Sequence, residues 1–497
     1  MKTSRLVLVT GIVVALVGLT SWWGGRPAVT PSGSGSTPIP AIGSPDTLSS
    51  TWYCAAGSAG VGPAPAHAIL LGNTSDEAVS VRLTAFNADG ALPSKVVEAV
   101  RSDVTAVDVN SLFGATDLSV MAESASGTLA VAHRLGSPGA ADDVPCGTSS
   151  SDAWFFPSQS TVTGASATLV LFNPFSADAG VDITAALPDS VRSPVELAGI
   201  VVPAGTSRVI DLGVAAVRRD QFAVSVKMRS GRVVAETSQT YAIEADAKAG
   251  TPARRGLRLQ LGVPEASSEW TFATGFTGPG VGEKVIVYNP NRATAKVVVQ
   301  VTPFGAVALP PEPFELDVPA NRIAVIDMSA ETRIPAEGFH AIAVESDADV
   351  PVVVARTIEL SGAPTAPADP AVGVRPDETF GTAIGTGTPV LATRWLLPGV
   401  LTGPEQQPMV FVHNPGSGIA TVTVRALAGD REPREIAVDV EVDPGDSRWI
   451  SLVIDAAGGA ENQLFEIVAS DPVAVESTMT FTAENDLSVG LGVPDLG

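Results

Sequence analysis

Histidine, cysteine and basic residues are scarce in this sequence. Its 497 residues include 4 His, 2 Cys and 3 Tyr, and aromatic side chains make up 5% of the chain. So few histidines and cysteines leave little material for a Cys/His metal site. The 30 basic residues face 53 acidic ones, which gives a net charge of −23. A surface of that sign repels phosphate backbones, so we expect no nucleic-acid partner.

The sequence motifs of the common catalytic classes are also missing. It contains no G-x-S-x-G elbow, HExxH helix, Walker A loop or G-x-G-x-x-G turn. His67, His133, His340 and His413 show no metal-ligand spacing. We therefore predict that the protein is not an enzyme and has no catalytic, cofactor-binding or metal-binding residues. An enzyme that lacks recognisable motifs stays open as a third interpretation.

The N-terminus carries a strong topological signal. Lys2 and Arg5 precede an uncharged apolar run over residues 6–23. As a helix at about 1.5 Å per residue, this run would be roughly 27 Å long, near the lower limit for spanning a bilayer. We predict a cytoplasmic stub at 1–5 and a transmembrane anchor at 6–23, with the bulk of the chain extracytoplasmic. A cleaved signal peptide is the alternative, in which case the protein is secreted.

The two cysteines are consistent with export. Cys54 and Cys146 form an even pair without CxxC spacing. A disulfide between them is the expected arrangement in an oxidising compartment.

Four copies of one unit follow a Gly/Pro/Ser-rich stretch. Each copy opens with a tryptophan on a short apolar strand, and an apolar run ending in asparagine comes about twenty residues later. The tryptophans are Trp52, Trp154, Trp270 and Trp395, and the asparagines are Asn73, Asn173, Asn289 and Asn414. Intervals of roughly 100 to 125 residues are too long for a propeller blade and fit a self-contained sandwich.

We therefore predict an all-β protein of tandem antiparallel β-sandwich (Ig-like) repeats after one N-terminal transmembrane helix. A flexible tether is expected at 24–50. The expected repeats cover 51–148, 152–267, 268–392 and 393–497, and the third repeat carries a Gly/Pro-rich insert or linker from about 361.

If Cys54 and Cys146 are bonded, the first and last strands of the repeat must meet, because bonded cysteines need Cα atoms within about 7 Å. Phe156, Phe272 and Leu397 stand at the position of Cys54 in the other repeats. Packing should replace the bridge there.

Three recurring residue types have competing interpretations. We expect the opening tryptophans to fill cores, although a ring of that kind also stacks on sugars. We expect the asparagines to cap turns through their own backbone. Asp108, Asp211 and Asp327 each stand alone in an apolar strand, which favours a hydrogen bond to a turn over a calcium site.

The segments Trp270–Gly278, Val287–Pro290, Val318–Ala320 and Pro351–Arg356 resemble repeats of exported bacterial surface proteins. With the apolar segment and tether, the order of these motifs resembles the actinobacterial family of unknown function numbered 5719. The resemblance covers about residues 50–497 and implies an envelope location and a β-rich fold.

We predict a structural or interaction protein of the cell envelope. Its expected partner is an envelope protein or polysaccharide, and its contact with the membrane is through the N-terminal helix. The alternative is a polysaccharide-binding accessory to cell-wall or glycan assembly.

Overall fold

The computed structural model describes residues 39–42, 49–57, 66–137, 140–245, 253–305, 310–361, 380–403, 405–454, 461–481 and 486–496. The described chain is nearly all-β, and its strands form antiparallel sheets, as the sequence predicted. The stub at 1–5, the apolar run at 6–23 and most of the tether lie outside the described residues. Among the helices in the described ranges, none is long and apolar enough to cross a bilayer.

The first repeat has two facing antiparallel sheets and one short helix. Its elements are β1 (Ser50–Cys54), β2 (Ala66–Asn73), β3 (Val79–Asn87), β4 (Gly90–Ala91), β5 (Lys95–Ala99), β6 (Asp103–Asp108), α1 (Val109–Phe113), β7 (Ser119–Ser124), β8 (Leu129–Ser137) and β9 (Ala140–Pro145). One sheet has the order β1-β7-β3-β4 with β5 also on β3, and the other has the order β6-β2-β8-β9.

The second repeat follows the same plan. Its strands are β10 (Ala153–Gln159), β11 (Ala165–Asn173), β12 (Ala179–Ala186), β13 (Val191–Arg192), β14 (Ile200–Val202), β15 (Thr206–Asp211), β16 (Phe222–Ser230), β17 (Val234–Ile243) and β18 (Arg254–Leu261), with 3₁₀ turns at Val195–Leu197 and Leu212–Val214. Its sheets run β10-β16-β12-β13, with β14 on β12, and β15-β11-β17-β18.

The third repeat has two four-stranded sheets. Its strands are β19 (Glu269–Thr277), β20 (Val281–Asn289), β21 (Ala295–Pro303), β22 (Phe314–Val318), β23 (Arg322–Asp327), β24 (Gly338–Ser346), β25 (Val353–Ser361) and β26 (Phe380–Thr386), with a 3₁₀ turn at Met328–Ala330. The sheets run β19-β24-β21-β22 and β23-β20-β25-β26. The insert or linker predicted from about 361 to 392 lies mostly outside the described residues, but its later part contains β26, the last strand of the third repeat.

In the fourth repeat one long strand belongs to both sheets. Its strands are β27 (Ala392–Thr402), β28 (Gln406–His413), β29 (Ala420–Leu427), β30 (Arg434–Val442), β31 (Ser447–Ser451), β32 (Glu461–Phe481), β33 (Asp486–Leu491) and β34 (Val493–Pro494). The first half of β32 pairs with β27 and β29, and its second half pairs with β28 and β33. In β29 buried and half-buried residues alternate, so the period-2 pattern of the sequence has one face in the core.

The first strand of every repeat meets the segment at or just after its last strand, as the cysteine positions predicted. The paired residues are Tyr53 with Gly147, Phe155 with Val263, Thr271 with Thr388 and Leu396 with Val493. Cys54 and Cys146 are bonded, with Cα atoms 4.7 Å apart.

The four repeats close into a ring. Their last long strands lie against one another in a cycle, with β9 against β18, β18 against β26, β26 against β33 and β33 against β9. Around this cycle the first strands of the second and third repeats pack on the next repeat, and β27 of the fourth packs on β2 and β8 of the first. The first repeat contacts the second through β3 and β4, which lie against β15, and through Tyr53 of β1, whose ring lies 6.3 Å from that of Phe172. Hydrophobic cores continue across the junctions, since Phe86 of the first repeat belongs to the core of the second.

Candidate functional site: buried charged residues at the junctions between repeats

One position on the penultimate long strand of each repeat carries a buried polar side chain. These residues are His133, Glu236, Arg356 and Glu476, and each exposes 1% of its surface or less. These four side chains differ from one another in charge and in shape. The structure shows why they vary: each faces a different neighbour across a junction.

Glu236 links the second repeat to the first. One carboxylate oxygen, Oε2, accepts hydrogen bonds from the main-chain N–H groups of Ala55 and Ala56, both at 2.8 Å. The other oxygen, Oε1, lies 2.6 Å from Nε2 of His133. Both oxygens of this buried carboxylate are therefore bonded to the neighbouring repeat, which offsets the cost of its desolvation.

Glu476 forms the equivalent link between the fourth repeat and the third. Its Oε2 accepts a hydrogen bond from the main-chain N–H of Thr274 at 2.8 Å. Its Oε1 lies 3.4 Å from Nη2 of Arg356. Burial raises the pKa of Glu476, and the positive charge of Arg356 opposes that rise.

The other two junctions have proline at the first of these two donor positions. Counting from the opening tryptophans, Pro157 and Pro398 occupy the position of Ala55, and proline has no N–H to donate. In the repeats that follow these prolines, the positions equivalent to Glu236 and Glu476 are Arg356 and His133, not carboxylates. The ring thus alternates between two carboxylate junctions and two proline junctions.

A second polar layer lies behind the junction residues in the first and third repeats. Nε2 of His67 lies 3.2 Å from Nδ1 of His133. Burial holds the pKa of His67 well below its usual range, and the nearby His133 lowers it further. In the third repeat Nε2 of His340 lies 2.8 Å from Oε2 of Glu283. Gly275 leaves room for that pair, since a Cβ there would come within 2.4 Å of Glu283.

The inner cycle of last strands has its own ionic network. Arg258 on β18 is paired with Asp486 on β33, and both are fully buried. Asp142 on β9 accepts hydrogen bonds from the N–H of Leu259 at 2.8 Å and from the hydroxyl of Ser488 at 2.5 Å. Burial raises the pKa of Asp142 to about 7. These contacts connect three of the four repeats at the centre of the ring.

The recurring residues of the sequence have structural roles. The four opening tryptophans are at most 3% exposed, and Nε1 of Trp154, Trp270 and Trp395 donates to the carbonyls of Val233, Val352 and Val473. The predicted core role is confirmed.

The predicted turn caps are confirmed for all four asparagines. Each buried Oδ1 accepts the N–H two residues later, and each Nδ2 donates to the carbonyl four residues later. Asp108 and Asp211 accept turn N–H groups, at Ser111 and Gly213. Asp327 differs, because its side chain makes no capping hydrogen bond.

Sequence reasoning missed the pairing of these charged groups. His67 and His133, which have no metal-ligand spacing in the sequence, belong to one repeat and touch. The signal was available in an alignment of the repeats by their opening tryptophans. In that alignment Ala and Pro alternate from repeat to repeat at one position, and carboxylates alternate with His or Arg at a second position. No group of three or more His, Cys, Asp or Glu side chains in the described ranges is placed to hold a metal ion.

Comparison with known proteins gives one informative result. No curated protein matches the sequence of this chain. Among solved structures, Thermotoga maritima 1070 is 16% identical over 25% of this chain and 94% of that one, with a TM-score of 0.19. The Anabaena sensory rhodopsin transducer is 26% identical over 18% of this chain and 94% of that one, with a TM-score of 0.16.

The major pilin from Streptococcus pyogenes is 8% identical over 66% of this chain and 99% of that one, with a TM-score of 0.12. Structural similarities with scores this low carry no inference about the present chain. The sequence comparison is different, because the family of unknown function DUF5719 matches residues 108–373, more than half of the chain. The chain therefore belongs to the DUF5719 family.

Proposed function

We propose that this protein is a non-catalytic structural or interaction component of the cell envelope, which presents its ring of β-sandwich repeats outside the cytoplasm. The observation that carries the proposal is the use of the charged side chains. His133, Glu236, Arg356 and Glu476 would be the natural candidates for acid–base chemistry, yet all four are buried and bonded between repeats. They have no contact with solvent through which a substrate would reach them.

The proposed location rests on the sequence. Lys2 and Arg5 before the apolar run at 6–23 favour an anchor with the repeats outside, and the Cys54–Cys146 disulfide suits an oxidising compartment. The likeness of the repeats to surface modules of exported actinobacterial proteins points to the same place. A net charge of −23 keeps such a body soluble.

An envelope protein is the partner that we propose first. The alternative, a polysaccharide-binding accessory, relied on the opening tryptophans as sugar platforms. Their rings fill the repeat cores, so the alternative would need other aromatic residues.

The location is tested by labelling intact cells with a membrane-impermeant maleimide. Val195, which is 80% exposed, is replaced in Val195→Cys, and Thr3→Cys is the matched control on the other side of the apolar run. We expect label on Val195→Cys in intact cells and on Thr3→Cys only after lysis. Label on Val195→Cys only after lysis would contradict the proposed location.

The role is tested by placing a photocrosslinking amino acid at Val195 in the native host. A crosslink to a defined envelope protein supports the proposal, provided that the same probe at the buried Trp270 gives none. A crosslink to glycan alone would favour the polysaccharide-binding alternative.

A further inference from the structure

The junction between the fourth and first repeats differs from the other three in its covalent connection. The fourth and first repeats are not consecutive in the chain, so no linker from one repeat to the next spans their junction, as linkers do elsewhere in the ring. It is also a proline junction, since Pro398 stands where Ala55 and Ala273 provide donors in the carboxylate junctions. Two sources of stability are therefore missing from the same place.

Packing at this junction is also distinctive. Phe172 and Tyr288 precede the capping asparagines of the second and third repeats and contact aromatic rings of the preceding repeat. In the first repeat the same position is Gly72, where a Cβ would come within 3.0 Å of the Cβ of Pro398. At this junction the backbone of Gly72 lies close to Pro398, in place of an aromatic contact.

A short segment ahead of the first repeat covers this junction. Residues 39–42, here named the strap, run beside the end of the fourth repeat, where Ile42 pairs in parallel with Asp495 and donates its N–H to the carbonyl of Pro494 at 2.9 Å. Ile39 and Ile42 are only 5% and 6% exposed. We had expected this stretch to belong to a flexible tether, but its described part is packed against the body.

The side chain of Ile42 packs against both the first and the fourth repeat, between which there is no linker. Its hydrophobic cluster contains Ala130 from the first repeat and Leu396, Leu427, Leu464 and Val493 from the fourth. Polar contacts complete the junction: the N–H of Gly429 donates to the carbonyl of Ser102 at 2.8 Å, and Nη2 of Arg134 donates to the carbonyl of Gly399 at 2.6 Å.

We propose that the strap is the latch of the ring: while residues 39–42 are docked the fourth and first repeats stay together, and their release opens the ring at this junction before any other. Opening would expose the apolar faces that Ile42, Ala130 and Leu464 now cover. The latch is a property of the folded body and does not depend on where in the cell the protein resides.

Hydrogen exchange of the full chain tests the latch with Ile42→Asp. The Gly429 amide reports on the strapped junction, and the Gly305 amide, which donates to Asp446 at 3.0 Å, reports on the junction between the third and fourth repeats. Loss of one buried isoleucine should speed exchange at Gly429 by about tenfold or more, with little change at Gly305. Ile419→Asp, at a position that is 51% exposed, is the matched control and should change neither amide.

Equal acceleration at both amides, or none at either, would overturn the proposal. The milder Ile42→Ala carries the same test if the aspartate variant does not fold. A second variant works in the opposite direction: Ile42→Cys with Asp495→Cys, oxidised, should slow exchange at Gly429 below the wild-type rate. Unchanged exchange at Gly429 in that locked protein would also count against the latch.

Discussion

The ring of Phe156 lies so close to Gly262 that a Cβ on residue 262 would come within 2.7 Å of its Cζ. Phe272 and Gly387 form the same pair in the third repeat, where a Cβ on residue 387 would come within 3.0 Å of the ring of Phe272. In the first repeat the two positions are Cys54 and Cys146, which are bonded. The first strand is therefore held against the end of its repeat by a disulfide in the first repeat, and by an aromatic ring packed on a glycine in the second and third.

This equivalence predicts the effect of exchanging one solution for the other. Cys54→Ser with Cys146→Ser should destabilise the first repeat by up to about 4–5 kcal/mol, because the bridge closes a long loop. Cys54→Phe with Cys146→Gly should recover part of that loss by restoring the packing of the sister repeats. Thermal unfolding of both variants under oxidising conditions makes the comparison. A phenylalanine–glycine variant no more stable than the serine variant would argue against the equivalence.

The carboxylate of Glu236 should contribute more to the free energy of unfolding than an exposed carboxylate does. Glu236→Gln removes the charge and replaces one of the two acceptor oxygens with an NH₂ group, so either the N–H groups of Ala55 and Ala56 or Nε2 of His133 lose their acceptor. This change should lower the free energy of unfolding by on the order of 2–3 kcal/mol. Urea unfolding measures the change. The exposed Glu196→Gln is the control and should stay within about 0.5 kcal/mol of wild type. Equal effects of the two substitutions would contradict the role of Glu236 at the junction.

The opening tryptophans should behave as core residues. Trp154→Ala, Trp270→Ala and Trp395→Ala should each cost about 3–5 kcal/mol, since each leaves a large cavity and removes one hydrogen bond to a buried carbonyl. The half-buried Trp449 provides the control, and Trp449→Ala should cost less. Fluorescence of the buried rings should be blue-shifted and unaffected by envelope glycans. A glycan-dependent signal lost in Trp270→Ala, with stability intact, would reverse this assignment.

The inner ionic network predicts a pH dependence with a defined sign. The pKa of Asp142 is raised by burial from 3.8 to about 7 in the folded state. The folded protein therefore holds this proton between pH 4 and 7 while the unfolded chain releases it. The stabilisation from protonated Asp142 is complete below pH 4 and is lost as the pH rises through 7, by about 4 kcal/mol at most.

Asp142→Asn removes this titration. Unfolding free energies measured from pH 4 to 8 should show the wild type losing stability relative to Asp142→Asn as the pH rises. Asp89→Asn, at an exposed turn, is the matched control. A constant difference between wild type and Asp142→Asn across the range would rule out the predicted linkage.

Local patterns in the sequence were enough to identify the repeat and most of its internal contacts. Alternating apolar residues, Gly/Pro turns and one opening tryptophan per unit indicate antiparallel sandwiches, because strand periodicity and core filling depend on neighbours along the chain or on the pleat. The asparagine caps follow from hydrogen bonds within five residues. The cysteine pair followed from their positions at the two ends of one unit.

The ring, its alternating junctions and the strap were decided by tertiary structure alone. Glu236 is the single charged residue of β17, and its donors Ala55 and Ala56 lie about 180 residues earlier, so no local pattern connects them. Main-chain N–H groups have no sequence signature, except that proline removes them. Ile42 looked like part of a flexible linker because its burial depends on a groove that exists only when the fourth repeat meets the first.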